Sequence, residues 1–326
     1  MSEFKIDEKD RKILIELQKN SRSSFSQIGK KVKLPKTVVM YRIKKLVDSK
    51  FVTLFCTIIN KEKLGYIYAR LFLKLYNYNE KIENELFKFL SKKKNIHWVA
   101  SLDGCYDFTI SILAKNIVEL NNIYSEIICS FSRYILDKEI SIATKMYYYP
   151  FKYVFGDKKF TKEENYISKN HKLNILDFKI INLIKQNSRL PLLNISEKLN
   201  ITPLTARTRI NQLKKNNIIQ GFRIRLDHKR LGFHHFHTFL NLSKIDENNE
   251  NQIINFIASF PSTVHIIKGM GRYDLEFESL LKSHFELHDI IKKIKNKFSK
   301  NIKYSDSVLI YKIYDINTVK YEKNLI

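Results

Sequence analysis

The stretch SLDGCYDFTI, residues 101–110, sets a thiol (Cys105), a phenol (Tyr106) and a carboxylate (Asp107) side by side. A thiol beside a carboxylate has the makings of an activated nucleophile. The chain then repeats the pattern in KGMGRYDLEF at 268–277, where Arg272 stands in place of the cysteine. Gly, Tyr and Asp are kept while the thiol is lost, so the shared element reads as a turn between strands rather than a nucleophile. Two histidine pairs have zinc-compatible spacing: His235 and His237 alternate on a strand, and His284 and His288 lie one helical turn apart. Cys56, Cys105 and Cys129 are odd in number and widely spaced, which fits neither a disulfide framework nor a metal knuckle. P-loop, Gly-x-Gly-x-x-Gly, Gly-x-Ser-x-Gly and His-Glu-x-x-His motifs are missing, and 8 glycines leave little for phosphate-cradling loops. No metal and no cofactor is expected.

The charge balance points elsewhere. Against 33 Asp and Glu stand 58 Lys and Arg, a net charge of +25. A phosphate polyanion suits such a chain, because each phosphate it neutralises releases condensed counterion. At 326 residues there is length for two or more domains, and 44% hydrophobic residues suffice for sizeable cores. No apolar run reaches the roughly 20 residues that span a bilayer, and the start, MSEFKIDEKDRK, lacks an apolar signal region. A soluble, cytoplasmic protein with no membrane partner is expected.

The elements that position these residues come in two copies. DRKILIELQKNSR begins at Asp10 and DFKIINLIKQNSR at Asp177, an offset of 167. The same offset relates Leu64-Gly65-Tyr66 to Leu231-Gly232-Phe233, Gly104-x-Tyr106-Asp107 to Gly271-x-Tyr273-Asp274, and Tyr147 to Tyr314. In each copy the first 60 or so residues carry helical periodicity, with a third helix buried along Val39, Ile43 and Leu46 or along Ala206, Ile210 and Leu213. Thr202-Pro203 is a strong helix start, whereas Leu34-Pro35-Lys36 gives the first copy a weaker cap. Alternation then takes over in FVTLFCTIIN and IIQGFRIRLD. Three short helices and a trailing strand pair describe a winged helix-turn-helix, whose third helix enters the major groove. The rest of the first copy reads strand 68–75, helix 80–92, strands 96–101 and 107–113, helix 117–131 and strand 140–148, a β-α-β-β-α-β order. Apolar alternation on both sides of ARLFLKLY and FTISILA requires a cover for the second face of that sheet.

A winged helix-turn-helix, a Leu-Gly-Tyr/Phe hinge and a Gly-x-Tyr-Asp turn in a sheet domain together resemble the Lrp/AsnC family of transcription regulators. The resemblance implies an α+β fold: two tandem copies of a winged helix-turn-helix plus a ferredoxin-like effector and dimerisation domain. The corresponding boundaries are 1–62 and 63–149, a linker at 150–172, then 173–229 and 230–316, and a tail at 317–326. It further implies sequence-specific binding of double-stranded DNA, and a homo-oligomer or internal pseudo-dimer. The sheet domains of that family can hold a small effector, often an amino acid, which would fall at Gly104, Tyr106, Asp107, Gly271, Tyr273 and Asp274. Family members usually carry one such unit per chain, and this chain has Leu54 where its second copy has the more usual Gly221.

Relatives of this fold also serve as sirohaem decarboxylases, and His97 near Tyr106 is reminiscent of their His and Tyr elements. Asp107 stands where those enzymes usually have Asn, and Ala100-Ser101 where an Arg is expected. The chain is therefore expected not to be an enzyme, with a sirohaem decarboxylase-like enzyme and an architectural DNA-binding protein as the alternatives.

With the apolar stripe inward, the first recognition helix presents Lys36, Thr37, Val38, Met40, Tyr41, Lys44 and Lys45. The second presents Leu204, Thr205, Arg207, Thr208, Asn211 and Gln212. Arg forks onto guanine, and Asn or Gln onto adenine, so the second copy reads as the base reader and the first as a phosphate and methyl contactor. Arg42 and Arg209 share a flank position, where each could hold a phosphate or pair with a carboxylate of the first helix.

Overall fold

The structure, a computed structural model, describes residues 6–149, 162–165, 173–185, 187–243, 246–315 and 321. The chain forms two compact units, and each draws on both repeats. One comprises Met1–Leu64, Lys169–Leu231 and Tyr321–Ile326; the other comprises Gly65–Ser168 and Gly232–Lys320.

In the first unit, the first repeat supplies α1 (Glu8–Lys19), α2 (Phe25–Val32), α3 (Lys36–Asp48) and β1 (Val52–Ile59). The second supplies α6 (Ile175–Ile184), α7 (Leu192–Leu199), α8 (Pro203–Lys215) and β7 (Ile219–Leu226). The helix starts follow side-chain chemistry. Asp7 with Asp10, Ser24 with Gln27, and Asn174 with Asp177 form capping boxes. Thr202 caps α8, while Pro35 begins α3 without a side-chain cap, as the weaker signal there predicts. Lys33 and Asn200 adopt left-handed conformations, with φ 56° and 51°, and turn the chain sharply into the third helix of each repeat. Ile13, Leu14, Leu17, Ile28, Val39, Ile43 and Leu46 close one helical core; Phe178, Ile181, Ile184, Ile195, Ala206, Ile210 and Leu213 close the other.

The trailing strand departs from expectation. Among the described residues it does not pair within its own repeat: β1 and β7 pair antiparallel with each other, from Val52 opposite Leu226 to Ile59 opposite Ile219. A lone strand leaves its N–H and C=O groups unpaired, and the other repeat supplies them.

The second unit contains β2 (Ile67–Leu75), α4 (Glu80–Leu90), β3 (Ile96–Gly104), β4 (Phe108–Ala114), α5 (Ile117–Phe131), β5 (Ile135–Tyr148) and β6 (Lys162–Asn165). From the second repeat come β8 (His234–Leu242), α9 (Glu247–Ser259), β9 (Thr263–Met270), β10 (Leu275–Leu281), α10 (His284–Lys297) and β11 (Ile302–Asp315). The strands run in the order β2-β4-β3-β11-β8-β10-β9-β5-β6, and a further β2–β5 pairing brings the ladder back on itself. Eight strands thus close into a barrel, with β6 added along the end of β5 inside the span read as a linker. Closure explains why β5 starts earlier than the alternation suggested. Its first half pairs β2 and its second half pairs β9, while β11 in the same way serves both β8 and β3.

Outside the barrel, α4 and α5 pack on Leu71, Leu73, Ile110 and Ile112, and α9 and α10 on Phe236, Leu240, Leu275 and Phe277. Inside it, the two sheets meet face to face through Phe72, Ala100, Leu102, Tyr106, Phe239, Tyr273, Val308 and Ile310. Each sheet is the cover that the other's second apolar face requires.

Gly104 and Gly271 end β3 and follow β9 with φ +140° and +150°. A Cβ on Gly271 would lie 2.4 Å from the Ile140 carbonyl oxygen, whereas one on Gly232 (φ +77°) would meet nothing within 4 Å. Gly271→Ala is expected to destabilise the protein by about 1–3 kcal/mol, and Gly232→Ala by less, since it adds only the conformational cost. Urea denaturation of both variants checks the order; equal midpoints would show that the close approach carries no weight.

Candidate nucleic-acid interface

Residues 1–64 and 169–231 hold 30 of the 58 Lys and Arg but only 10 of the 33 Asp and Glu, so the excess positive charge is concentrated in the helical unit. Within that unit a pseudo-twofold axis relates the repeats. Ser21 and Ser188 meet on it, Oγ to Oγ at 2.6 Å. Arg22 donates to the Ser188 carbonyl at 2.5 Å and Arg189 to the Ser21 carbonyl at 2.6 Å. Each guanidinium also covers a ring of the other repeat, Arg22 over Phe222 and Arg189 over Phe55. The recognition helices are tied to the other repeat at their C-termini. Arg230 donates to the carbonyl of Ser49, the C-cap of α3, at 3.0 Å, and Lys63 donates to that of Asn216, the C-cap of α8, also at 3.0 Å. A cation suits the negative end of a helix, and here each comes from the other repeat.

The outward faces lie as the stripe predicts. Lys36, Thr37, Met40, Tyr41, Lys44 and Lys45 are exposed on α3, and Arg207, Thr208, Asn211 and Gln212 on α8. Thr205 is half-buried, its hydroxyl bonded to the Thr202 cap at 2.9 Å. Of the two roles weighed for Arg42, the structure shows the ion pair: its Nη1 lies 2.7 Å from Asp7 and 2.8 Å from Asp10. Burial raises the Asp7 pKa, but the Asp10 N–H and the Arg42 guanidinium outweigh it and hold the carboxyl below its usual range. Arg209 faces the equivalent Asp177 more loosely, at 3.8 Å.

Two helix-turn-helix heads, each with an exposed third helix and a wing strand paired to the other, define a tandem winged helix-turn-helix DNA-binding protein. The model of the AsnC-type helix-turn-helix domain matches residues 6–47, and that of a winged helix-turn-helix DNA-binding domain matches 173–220. An uncharacterized HTH-type transcriptional regulator of Pyrococcus abyssi is 32% identical over 146 residues, 44% of this chain and 95% of its own length. LrpA, an HTH-type transcriptional regulator of Bacillus subtilis, is 29% identical over 140 residues, 42% of this chain and 97% of its own. The chain belongs to the Lrp/AsnC family of DNA-binding transcription regulators, and each of these two relatives is about one repeat long.

The fold extends the likeness to the whole chain. Siroheme decarboxylase NirDL superposes with a TM-score of 0.68 over 97% of this chain and 94% of its own, at 14% identity. That protein is an enzyme, which overturns the expectation that this chain is not one. The differences at Ala100, Ser101 and Asp107 alter one motif; they do not bar chemistry from a fold shared end to end. Among the described residues, no helix is long and apolar enough to cross a membrane.

The six residues expected around an effector lie where the two sheets meet, and the protein's own groups engage them. Tyr106 and Tyr273 are buried hydroxyl to hydroxyl at 3.0 Å. Asp107 accepts from the Leu75 N–H at 2.7 Å and from Lys74 at 2.8 Å, and Asp274 accepts from the Leu242 N–H at 2.7 Å. Gly104 and Gly271 pass close to the Ser307 and Ile140 carbonyls. Partial desolvation, then Asp306, pushes the Cys105 thiol up to about 11, far from a thiolate at neutral pH.

The barrel also holds a charged centre, in which the histidine pair His235 and His237 meets Arg70, Glu276 and Glu278, three residues that no sequence motif marks. Arg70 on β2 reaches Glu276 at 2.7 Å and Glu278 at 3.1 Å on β10, all three buried. His237 bonds Glu276 at 2.8 Å, and His235 and His265 bond Glu278 at 3.0 and 2.8 Å. Ser141 donates to Glu276 at 2.5 Å. Burial raises both carboxyl pKa values, but Arg70 next to Glu276, and His265 with His235 next to Glu278, hold them below the usual range. Among the described residues no group of three or more His, Cys, Asp or Glu is arranged to hold a metal ion. His235 and His237 instead use Nε2 on the glutamates, and His284 packs edge-on against Phe236 at 4.8 Å. The signal for this centre was present in the repeat register, which sets Arg70 against His237, Thr109 against Glu276 and Ser111 against Glu278.

Because Asp10 is buried beneath Arg42, Arg42→Ala is expected to destabilise the helical unit by about 1 kcal/mol, and Lys44→Ala by less than about 0.5 kcal/mol. Thermal unfolding of the two variants measures this, and an unchanged midpoint for Arg42→Ala would return that residue to the set of free phosphate contacts.

Proposed function

We propose that the protein is a sequence-specific transcription regulator whose two heads read unlike half-sites. The observation that carries this reading is the contrast between two recognition faces held in one unit. The α3 face offers Lys36, Thr37, Met40, Tyr41, Lys44 and Lys45, suited to phosphates and thymine methyls; the α8 face offers Arg207, Asn211 and Gln212, suited to base edges. A symmetric dimer presents the same face twice and matches a palindrome; this chain presents two faces. In the same proposal, each β-α-β-β-α-β half of the second unit is a ferredoxin-like domain, and an amino-acid effector acts at the Tyr106 and Tyr273 turns, where it would compete with the bonds described above.

Selection of bound sequences from random DNA is expected to return an asymmetric site, and two half-sites of identical sequence would refute unlike reading. Arg207→Ala is expected to relax base preference at one position by about 1–3 kcal/mol of discrimination, while Lys44→Ala lowers the slope of log K against log salt by about 1 with preference intact. Fluorescence anisotropy on cognate and scrambled DNA separates these outcomes, and identical effects of the two variants would contradict the division of roles. The decarboxylase fold makes one further ligand worth testing, since NirDL has been crystallised with an iron-uroporphyrin III analogue. An absorption shift on titration of an iron tetrapyrrole would give the sheet unit a ligand other than an amino acid.

A further inference from the structure

We propose that Arg70, Glu276 and Glu278 make the barrel interface selective, so that a first-repeat sheet accepts a second-repeat sheet and rejects a copy of itself. Arg70 belongs to the first repeat and both glutamates to the second, and their side chains are 2% exposed or less except that of Glu278, at 8%. Ser141, again from the first repeat, completes the coordination of Glu276. The register shows what each self-pairing would contain. In a pair of first repeats, two buried arginines face Thr109 and Ser111, which occupy the positions of Glu276 and Glu278 and carry no charge. In a pair of second repeats, four buried carboxylates meet with histidines and no arginine, because His237 occupies the position of Arg70. Only the mixed pair sets an arginine against carboxylates. A buried charge without its partner is strongly destabilising, so the exclusion of self-pairs comes from repulsion and desolvation as much as from attraction in the mixed pair.

The aromatic part of the same interface supplies no such choice. Phe72 is matched by Phe239 and Tyr106 by Tyr273, so these four residues alone would accept any pairing. Around them Ala100, Leu102, Val308 and Ile310 stand against Ile267, Gly269, Ser141 and Ala143, a difference of volume, and the charged layer adds the opposition of sign that penalises each self-pair.

The test uses the full chain with a specific protease site inserted between residues 166 and 172. The folded protein is cut, unfolded in urea, refolded at equal fragment concentrations, and its pairs are counted by native mass spectrometry. The wild-type fragments are expected to return as mixed pairs with less than about one-tenth self-pairs, whereas random pairing gives roughly half. The neutralised chain, Arg70→Met with Glu276→Gln and Glu278→Gln, is expected to move toward the random proportion even though its helical units are unchanged. A wild type that refolds at random, or a neutralised chain as selective as wild type, overturns the proposal. Should the triple variant fail to refold, Arg70→Gln alone decides. A pair of second repeats never contained Arg70, so its share is expected to rise severalfold, toward the roughly one quarter that random pairing gives, and an unchanged share counts against the assignment.

Discussion

An antiparallel sheet that is apolar on both faces cannot remain exposed in water. Helices cover one face of each sheet here, and the other face of each is covered by its repeat. This mutual burial governs the rest of the second unit. It lengthens β5 and β11 so that each serves two neighbours, closes eight strands into a barrel, and forces Gly104 and Gly271 against the strands that cross them. The helical unit obeys a related constraint through backbone groups: among the described residues β1 has no strand partner in its own repeat, and it finds one in β7.

Much of this was legible in the sequence because the repeat is gapless. The offset of 167 that matched Asp10 to Asp177 also matches Tyr106 to Tyr273 and Ser21 to Ser188, which proved to be contacts on the pseudo-twofold axes. Helical stripes located the recognition faces because burial of Val39, Ile43 and Leu46 leaves Met40, Tyr41 and Lys44 outside. What escaped was long-range and polar. Alternation in FVTLFCTIIN announces a strand but does not say which strand it pairs with. For Arg42 the phosphate and ion-pair roles stayed open in the sequence because its acidic partners, Asp7 and Asp10, lie more than thirty positions away. Arg70, Glu276 and Glu278 were hidden in strands whose neighbours are apolar, and only the closed barrel brings them together. The exclusion of enzymatic activity failed for a different reason: it rested on single motif positions, whereas the likeness to a decarboxylase runs through the whole fold.

The two units differ in how far they keep their internal symmetry. Around Ser21 and Ser188 the contacts are reciprocal, with arginine to carbonyl in both directions and a cation from each repeat at the other's recognition helix. In the barrel centre symmetry is broken, with the arginine on one side and the carboxylates on the other. The heads therefore share one frame while presenting different side chains, and the sheets share one frame while burying groups of opposite sign at its centre. Geometry common to both repeats and chemistry private to each are thus stored at separate positions.

The contact between Tyr106 and Tyr273 shows what joining the repeats has made available. In a protein that pairs with a second copy of itself, any substitution near the axis appears on both sides at once, and each change must be compatible with its own mirror image. Here the two tyrosine hydroxyls still meet on the axis, but the residue before one is Cys105 and the residue before the other is Arg272. A single codon change alters one side only, so the chain can explore interface and recognition chemistry one half at a time.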